Sequence, residues 1–120
     1  MSTSEIRAKI REAADLIETA GWAQFLLEDA RSGGYCTVGA IRHVTGGRYG
    51  GNSVYDQAIA LVAKELRAQG FEDVRDKLLD DAILGGDQEL ADYDLVTTWN
   101  DDDVRTVDEV LRLLREVGQG

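Results

Sequence analysis

Residues 53–70 read SVYDQAIALVAKELRAQG, and the pattern of this stretch decides the fold more clearly than any other. Its apolar side chains recur at steps of three and four residues. Asn52 or Ser53 can cap the start of a helix here, and Gly70 is a typical stop. The apolar positions are Val54, Tyr55, Ala58, Ile59, Leu61, Val62 and Leu66. The pattern predicts a central helix whose broad apolar stripe packs against other helices.

Two more helices are predicted on the N-terminal side. Ser4 can cap a helix whose apolar residues run from Ile6 to Ala20 at alternating steps of four and three, with Gly21 ending it. Small residues three, four and seven apart in the range 35–44 predict a short second helix. Their size would allow a neighbouring backbone to approach closely.

On the C-terminal side, Phe71 to Ile83 has the period of an amphipathic helix with its acids turned outward. Residues 87–98 are ambiguous, with apolar residues but no clear period. Thr106 and Glu109 match the capping box that opens a last helix. We therefore expect an all-α single compact domain of about five helices over residues 1–120, without a confident strand.

Composition narrows the class of protein further. A chain of 120 residues can bury one core without disulfides, and its single cysteine, Cys36, excludes an intramolecular bridge. A lone thiol favours a reducing compartment, so we predict a cytoplasmic protein. The chain contains no run of about 18 apolar residues, which a membrane span would need, so no membrane partner is expected.

The acidic charge is concentrated in residues 72–103, which we call the acidic segment. It carries twelve acids against Arg75 and Lys77, while eleven acids and eleven bases balance in the rest, so the net charge of −10 arises here. Direct nucleic-acid binding is not expected, because it depends on clustered Lys and Arg. A basic protein partner is expected instead, although the same charge could serve only solubility. The predicted partner-binding residues are Glu72, Asp73, Asp76, Asp80, Asp81, Asp87, Glu89, Asp92 and Asp94.

Three motifs in order resemble a family of small uncharacterised proteins, a domain of unknown function found in actinobacteria and their phages. They are GWAQ at residues 21–24, CTVGAI at 36–41, and WND at 99–101 with RT at 105–106 and EVL at 109–111. The chain departs from the family pattern by its long acidic region from Phe71 to Val96. The resemblance implies a lineage and carries no activity with it.

Cys36 is the only possible thiol nucleophile, and His43 is the only histidine. If both lie on one helix, seven residues separate them by roughly 10 Å along the axis. That is too far for the hydrogen bond of about 3 Å that a nucleophile and its base share. A buried structural cysteine is the better interpretation. One Cys and one His also cannot build a structural zinc site, so neither metal nor cofactor is predicted.

The WND motif is best interpreted as structural. An apolar Trp99 before a polar turn would dock the last helix, while Asn100 and Asp101 would hold that turn through side-chain bonds to the backbone. Trp22 would be a second anchor, folding the chain back onto the core after the first helix.

These observations favour a non-catalytic binding protein whose acidic face engages a basic protein. If a phage encodes it, it would act in the host cytoplasm as a host-modulating factor that mimics phosphates or DNA. The first alternative is a small enzyme centred on Cys36 with His43. The second is a homo-oligomeric structural protein that buries the stripe of the central helix against a twin.

Overall fold

A computed structural model describes residues 2–47, 53–71 and 88–120, with the backbone alone for 88–90. The described residues form five α-helices, which confirms the all-α class. They are α1 (Thr3–Ala20), α2 (Thr37–Thr45), α3 (Val54–Ala68), α4 (Gln88–Asp101) and α5 (Val107–Gln119). The helix predicted from Phe71 to Ile83 lies outside the described residues, apart from Phe71 itself.

Side-chain caps fix where three of the helices begin. The Ser53 hydroxyl accepts the Asp56 N–H at 3.1 Å, as the sequence indicated for the central helix. Both halves of the capping box between Thr106 and Glu109 are present at α5. The N-terminal cap is different from the prediction: Ser2 caps α1 and Ser4 lies inside it, because two serines two residues apart suit the role equally.

Helix α4 occupies the stretch that the sequence left ambiguous. Its buried side chains include Ala91, Leu95, Val96, Trp99 and Asn100. Together with Asp92, they recur in pairs four residues apart and form one broad face, which packs against both α3 and α2. Two residues of this buried face, Asp92 and Asn100, are polar, so the apolar side chains alone show no clear period.

Helix α1 is the centre of the packing, with its most extensive contacts to α5 and α2. Ile10 and Ile17 of α1 are buried in the common core. The guanidinium of Arg7 donates to the carbonyl of Val117, and that of Arg11 to Gly118. These bonds satisfy carbonyls at the C-terminal end of α5, where positive charge is favoured. None of the helices in the described parts of the chain is both long and apolar enough to cross a bilayer.

Candidate functional site

The segment between α1 and α2, residues 21–36, is irregular and folds back on itself. The Ala23 N–H donates to the Tyr35 carbonyl at 3.0 Å, and the Cys36 N–H donates to the Leu27 carbonyl at 3.2 Å. Through these bonds, backbone groups of the irregular segment are hydrogen-bonded to each other where the segment passes the end of α4. We call this segment the 21–36 loop.

Asn100, at the C-terminal end of α4, is the polar centre of the fold. Its side chain is completely buried. The Oδ1 atom accepts the indole N–H of Trp22 at 2.8 Å, the backbone N–H of Thr37 at 3.0 Å and the Thr37 hydroxyl at 2.7 Å. The Nδ2 atom donates to the Ala23 carbonyl at 3.1 Å. One amide thus joins α4 to the 21–36 loop and to the start of α2, and we call these four residues the Asn100 junction.

Two side chains extend this junction to the protein surface. Asp101 Oδ1 accepts the backbone N–H of Phe25 at 2.9 Å and the Asn100 Nδ2–H at 3.0 Å. Gln24 Nε2 donates to the carbonyls of Asn100 and Asp102 at 3.1 and 2.9 Å. Gln24 and Asp101 therefore clamp the 21–36 loop onto the end of α4.

This arrangement corrects the interpretation of the WND motif. Asn100 and Asp101 were expected to hold the turn before the last helix, but they lie in the last turn of α4 and bond to the 21–36 loop. The turn itself is held by Asp102, whose Oδ1 accepts the Val104 N–H at 3.1 Å. The residues that Asn100 binds precede it by more than sixty positions, so no local pattern could reveal them.

Trp99 is buried against the core, and Arg105 covers it. The guanidinium carbon of Arg105 lies 4.4 Å from the centroid of the indole ring. Its Nε donates to the Trp99 carbonyl at 2.9 Å, and its Nη1 donates to Glu109 at 2.8 Å. Arg105 was not among the predicted site residues; its place beside WND in the sequence was the available signal. Its charge is used to dock α5.

Cys36 is the N-cap of α2, and its Sγ accepts the Gly39 N–H at 3.3 Å. The side chain is buried, and this burial raises the pKa of the thiol. Gly39 faces the 21–36 loop so closely that an added Cβ would lie 1.7 Å from the Leu27 carbonyl oxygen. The thiol is therefore enclosed and mostly protonated, an environment that suits a structural residue.

His43 lies in the last turn of α2, at the opposite end of the helix from Cys36. It is exposed, and its ring centroid is 5.2 Å from that of Tyr35. The structure therefore does not bring the thiol and the imidazole together. His43 instead lines an open groove of about 350 Å³ with Leu27, Glu28, Gly39, Arg42, Gly46 and Gly47. Within the described ranges, no group of three His, Cys, Asp or Glu residues could hold a metal ion.

The predicted partner-binding acids fall into two groups. Glu72, Asp73, Asp76, Asp80, Asp81 and Asp87 lie outside the described residues, as does the side chain of Glu89. Asp92 does not belong to an exposed face: it is 5% exposed and forms an ion pair with Arg67 at 2.8 Å. Asp94 is half-buried. Near the end of the acidic segment, Asp102 and Asp103 are exposed.

A comparison with protein-family models identifies the family of the chain. The model of a family of unknown function, DUF6197, matches residues 1–119, so the chain belongs to this family. No curated protein and no solved structure matches it.

Proposed function

We propose that this member of the DUF6197 family is a non-catalytic binding protein that uses its acidic segment to engage a basic protein partner. In a phage-encoded form, it would modulate the host by covering a surface that otherwise binds nucleic acid, with its carboxylates standing in for phosphates. The proposal is supported by the way the protein distributes its charged groups.

The observation that carries the proposal is the distribution of ion pairs over the molecule. Outside the acidic segment, Arg115 pairs with Asp15 and Glu18 at 3.2 and 3.1 Å, and Lys9 pairs with Glu12 at 3.0 Å. These pairs lie in the part of the chain where eleven acids and eleven bases balance.

Two cations from the rest of the chain reach acids in the described part of the acidic segment. Among the described residues, Arg67 pairs with Asp92, and Arg105 comes within 4.0 Å of Asp102. Within its own sequence the segment holds twelve acids against Arg75 and Lys77, and we propose that a basic partner meets this excess of acids. A concentrated surface charge steers the encounter with an oppositely charged protein and selects among partners.

Three polar groups that an active site could use form structural bonds instead. The Asn100 amide and the Asp101 carboxylate are engaged in bonds to the 21–36 loop. The Cys36 thiol is buried and caps α2. This favours the binding function over the enzyme centred on Cys36 and His43.

The test is capture of basic proteins from a cell lysate by the immobilised chain, at about 0.05 M and about 0.5 M salt. We expect binding that falls steeply at the higher salt. A variant with four acids of the segment changed to Asn should lose at least about tenfold in capture, because electrostatic steering depends on those charges. Its substitutions are D73N, D76N, D80N and D81N.

A matched variant controls for net charge. It removes four acids outside the segment, through E12Q, E18Q, E65Q and E116Q, and should retain capture within about twofold. Equal losses in the two variants, or capture that ignores salt, would contradict the proposal.

A further inference from the structure

The most exposed large apolar side chains of the described residues lie on two segments that are bonded to each other. Phe25 is 73% exposed, Leu26 54% and Val104 72%, whereas Phe71 and Val107 are each 37% exposed. Phe25 and Leu26 belong to the 21–36 loop, and Val104 belongs to the turn between α4 and α5.

The clamp described above holds these two segments side by side. The Phe25 N–H is bonded to Asp101, and the Gln24 side chain is bonded to the Asp102 carbonyl. Asp102 in turn holds the Val104 N–H. These bonds keep the backbones of the two segments together, and we call the exposed apolar residues that they carry the docking edge (Phe25, Leu26 and Val104).

Phe25 is held in a backbone conformation that its side chain disfavours. Its φ is +68°, and it is the one non-glycine residue with positive φ in the described parts of the chain. Such a conformation persists only where the surrounding structure imposes it, and such strained positions are concentrated at ligand-binding sites. Glycine would adopt this backbone without strain. The phenyl ring is largely exposed, so it contributes little to the stability of the fold. We therefore look for its role in contacts with another molecule.

The exposed charges nearest the docking edge in the chain are negative, and the exposed Arg31 lies further along the 21–36 loop. Residues 22–30 and 100–108 contain a single cation, Arg105, whose side chain is 6% exposed and bonded to Glu109. The carboxylates of Glu28, Asp102 and Asp103 are exposed in the same two segments. A partner that covers the docking edge therefore meets apolar side chains bordered by negative charge.

We propose that the docking edge seats an amphipathic protein segment whose apolar side chains contact Phe25, Leu26 and Val104 and whose flanking Lys or Arg residues meet the carboxylates around them. This deepens the proposed function and rests on it: the acidic charge attracts the partner, and the edge supplies the central apolar anchor. Aromatic side chains at the centre of an interface commonly dominate its affinity, while the charged rim contributes mainly to encounter.

The test uses three labelled synthetic peptides of equal length and measures their binding to the whole chain by fluorescence anisotropy. The first is an amphipathic Leu/Lys helix, the second replaces its Leu by Gln, and the third replaces its Lys by Glu. We expect the Leu/Lys peptide to bind at least about tenfold more tightly than the Gln/Lys peptide, and the Leu/Glu peptide not to bind.

The informative variant is Phe25→Gly, since it removes the ring and suits the backbone. It should weaken Leu/Lys binding at least about tenfold and abolish the difference between the two lysine peptides. Its urea midpoint should not fall, which separates lost binding from lost folding. Phe25→Leu keeps an apolar side chain and is the matched control, with binding retained within about threefold.

The outcomes separate this inference from the function on which it rests. If both lysine peptides bind equally and Phe25→Gly changes neither, the docking edge is overturned while the acidic binding function stands. If neither lysine peptide binds the wild-type chain, the proposed function fails as well. A dimer at micromolar concentration that Phe25→Gly dissociates would identify a second copy of the chain as the occupant and overturn the proposed partner. Equal binding of the Leu/Glu peptide would overturn the role of charge.

Discussion

The Asn100 junction and the docking edge both involve the 21–36 loop and the region around the end of α4, yet their side chains have opposite environments. At the junction, a buried amide has four polar contacts at 2.7–3.1 Å to Trp22, Thr37 and Ala23. A few residues away, Phe25 and Val104 are each more than 70% exposed. The bonds of the junction stabilise the fold. Next to them, the bond from the Phe25 N–H to Asp101 helps to hold an exposed phenylalanine in a strained backbone conformation.

This difference indicates which residues of the protein are candidates for function. Buried polar residues such as Asn100 stand out in the sequence, but their bonds are directed inward. The residues that we assign to the partner have no notable motif and are recognised only by their exposure and backbone conformation. The comparison predicts that variants at the junction change stability, whereas variants at the edge change binding.

The largest effect is expected from Asn100→Ala. The substitution removes the acceptor of Trp22 and Thr37 and the donor to Ala23, leaving buried polar groups without a partner. We expect a loss of about 3–5 kcal/mol in the free energy of unfolding, measured by urea denaturation. Asn100→Asp keeps the Oδ1 acceptor but places a carboxylate oxygen next to the Ala23 carbonyl and the Asp101 carboxylate, so it should also be destabilising. A loss below about 1 kcal/mol for Asn100→Ala would mean that the junction does not stabilise the fold.

A smaller effect is expected from Thr106→Ala, just beyond the docking edge. It removes the hydroxyl that accepts the Glu109 N–H and should cost about 1 kcal/mol in the free energy of unfolding. Thr106→Ser keeps the cap and should remain close to wild type. If Thr106→Ser is as destabilising as Thr106→Ala, the methyl group of Thr106 and not its hydroxyl is responsible.

The same cap has a pH dependence. The backbone N–H of Thr106 lowers the pKa of Glu109 below its ordinary value of 4.5, and the hydroxyl of Thr106 and the nearby Arg105 add to this. The ionised carboxylate therefore stabilises the folded state above about pH 4.5, and this contribution is lost as the pH falls through the lowered pKa. The stability difference between wild type and Glu109→Gln should shrink over that range in urea titrations. A difference that stays constant would rule out this linkage.

The smallest effect is expected from Cys36→Ser, on the side of the junction where α2 begins. A serine hydroxyl can also accept the Gly39 N–H, so the free energy of unfolding should change by no more than about 1 kcal/mol. Partner capture should be unchanged. In the native wild type, alkylation of the thiol should be at least about 100-fold slower than in urea, because burial raises its pKa. Fast native alkylation together with loss of function in Cys36→Ser would favour the enzyme alternative.

Local sequence patterns predicted much of the helical framework. The stripe in residues 53–70 corresponds to α3, and the capping box at Thr106 marks the start of α5, because both depend on neighbours within one or two turns. The small residue at Gly39 also indicated the close approach that the structure shows, against Leu27. Helix α4 was not recognised, since its buried face includes the polar residues Asp92 and Asn100. The predicted helix from Phe71 to Ile83 remains a prediction.

The sequence by itself determined the helical class, the capping box of Thr106 and Glu109, and the confinement of the net charge to the acidic segment, since each is a property of residues close together in the chain. The tertiary structure decided that Asp92 is buried against Arg67, that Asn100 bonds to the 21–36 loop, and that the Phe25 N–H bonds to Asp101. The physical reason is sequence distance: these contacts join residues 25 to 77 positions apart, and periodicity carries no information about which distant segments will meet.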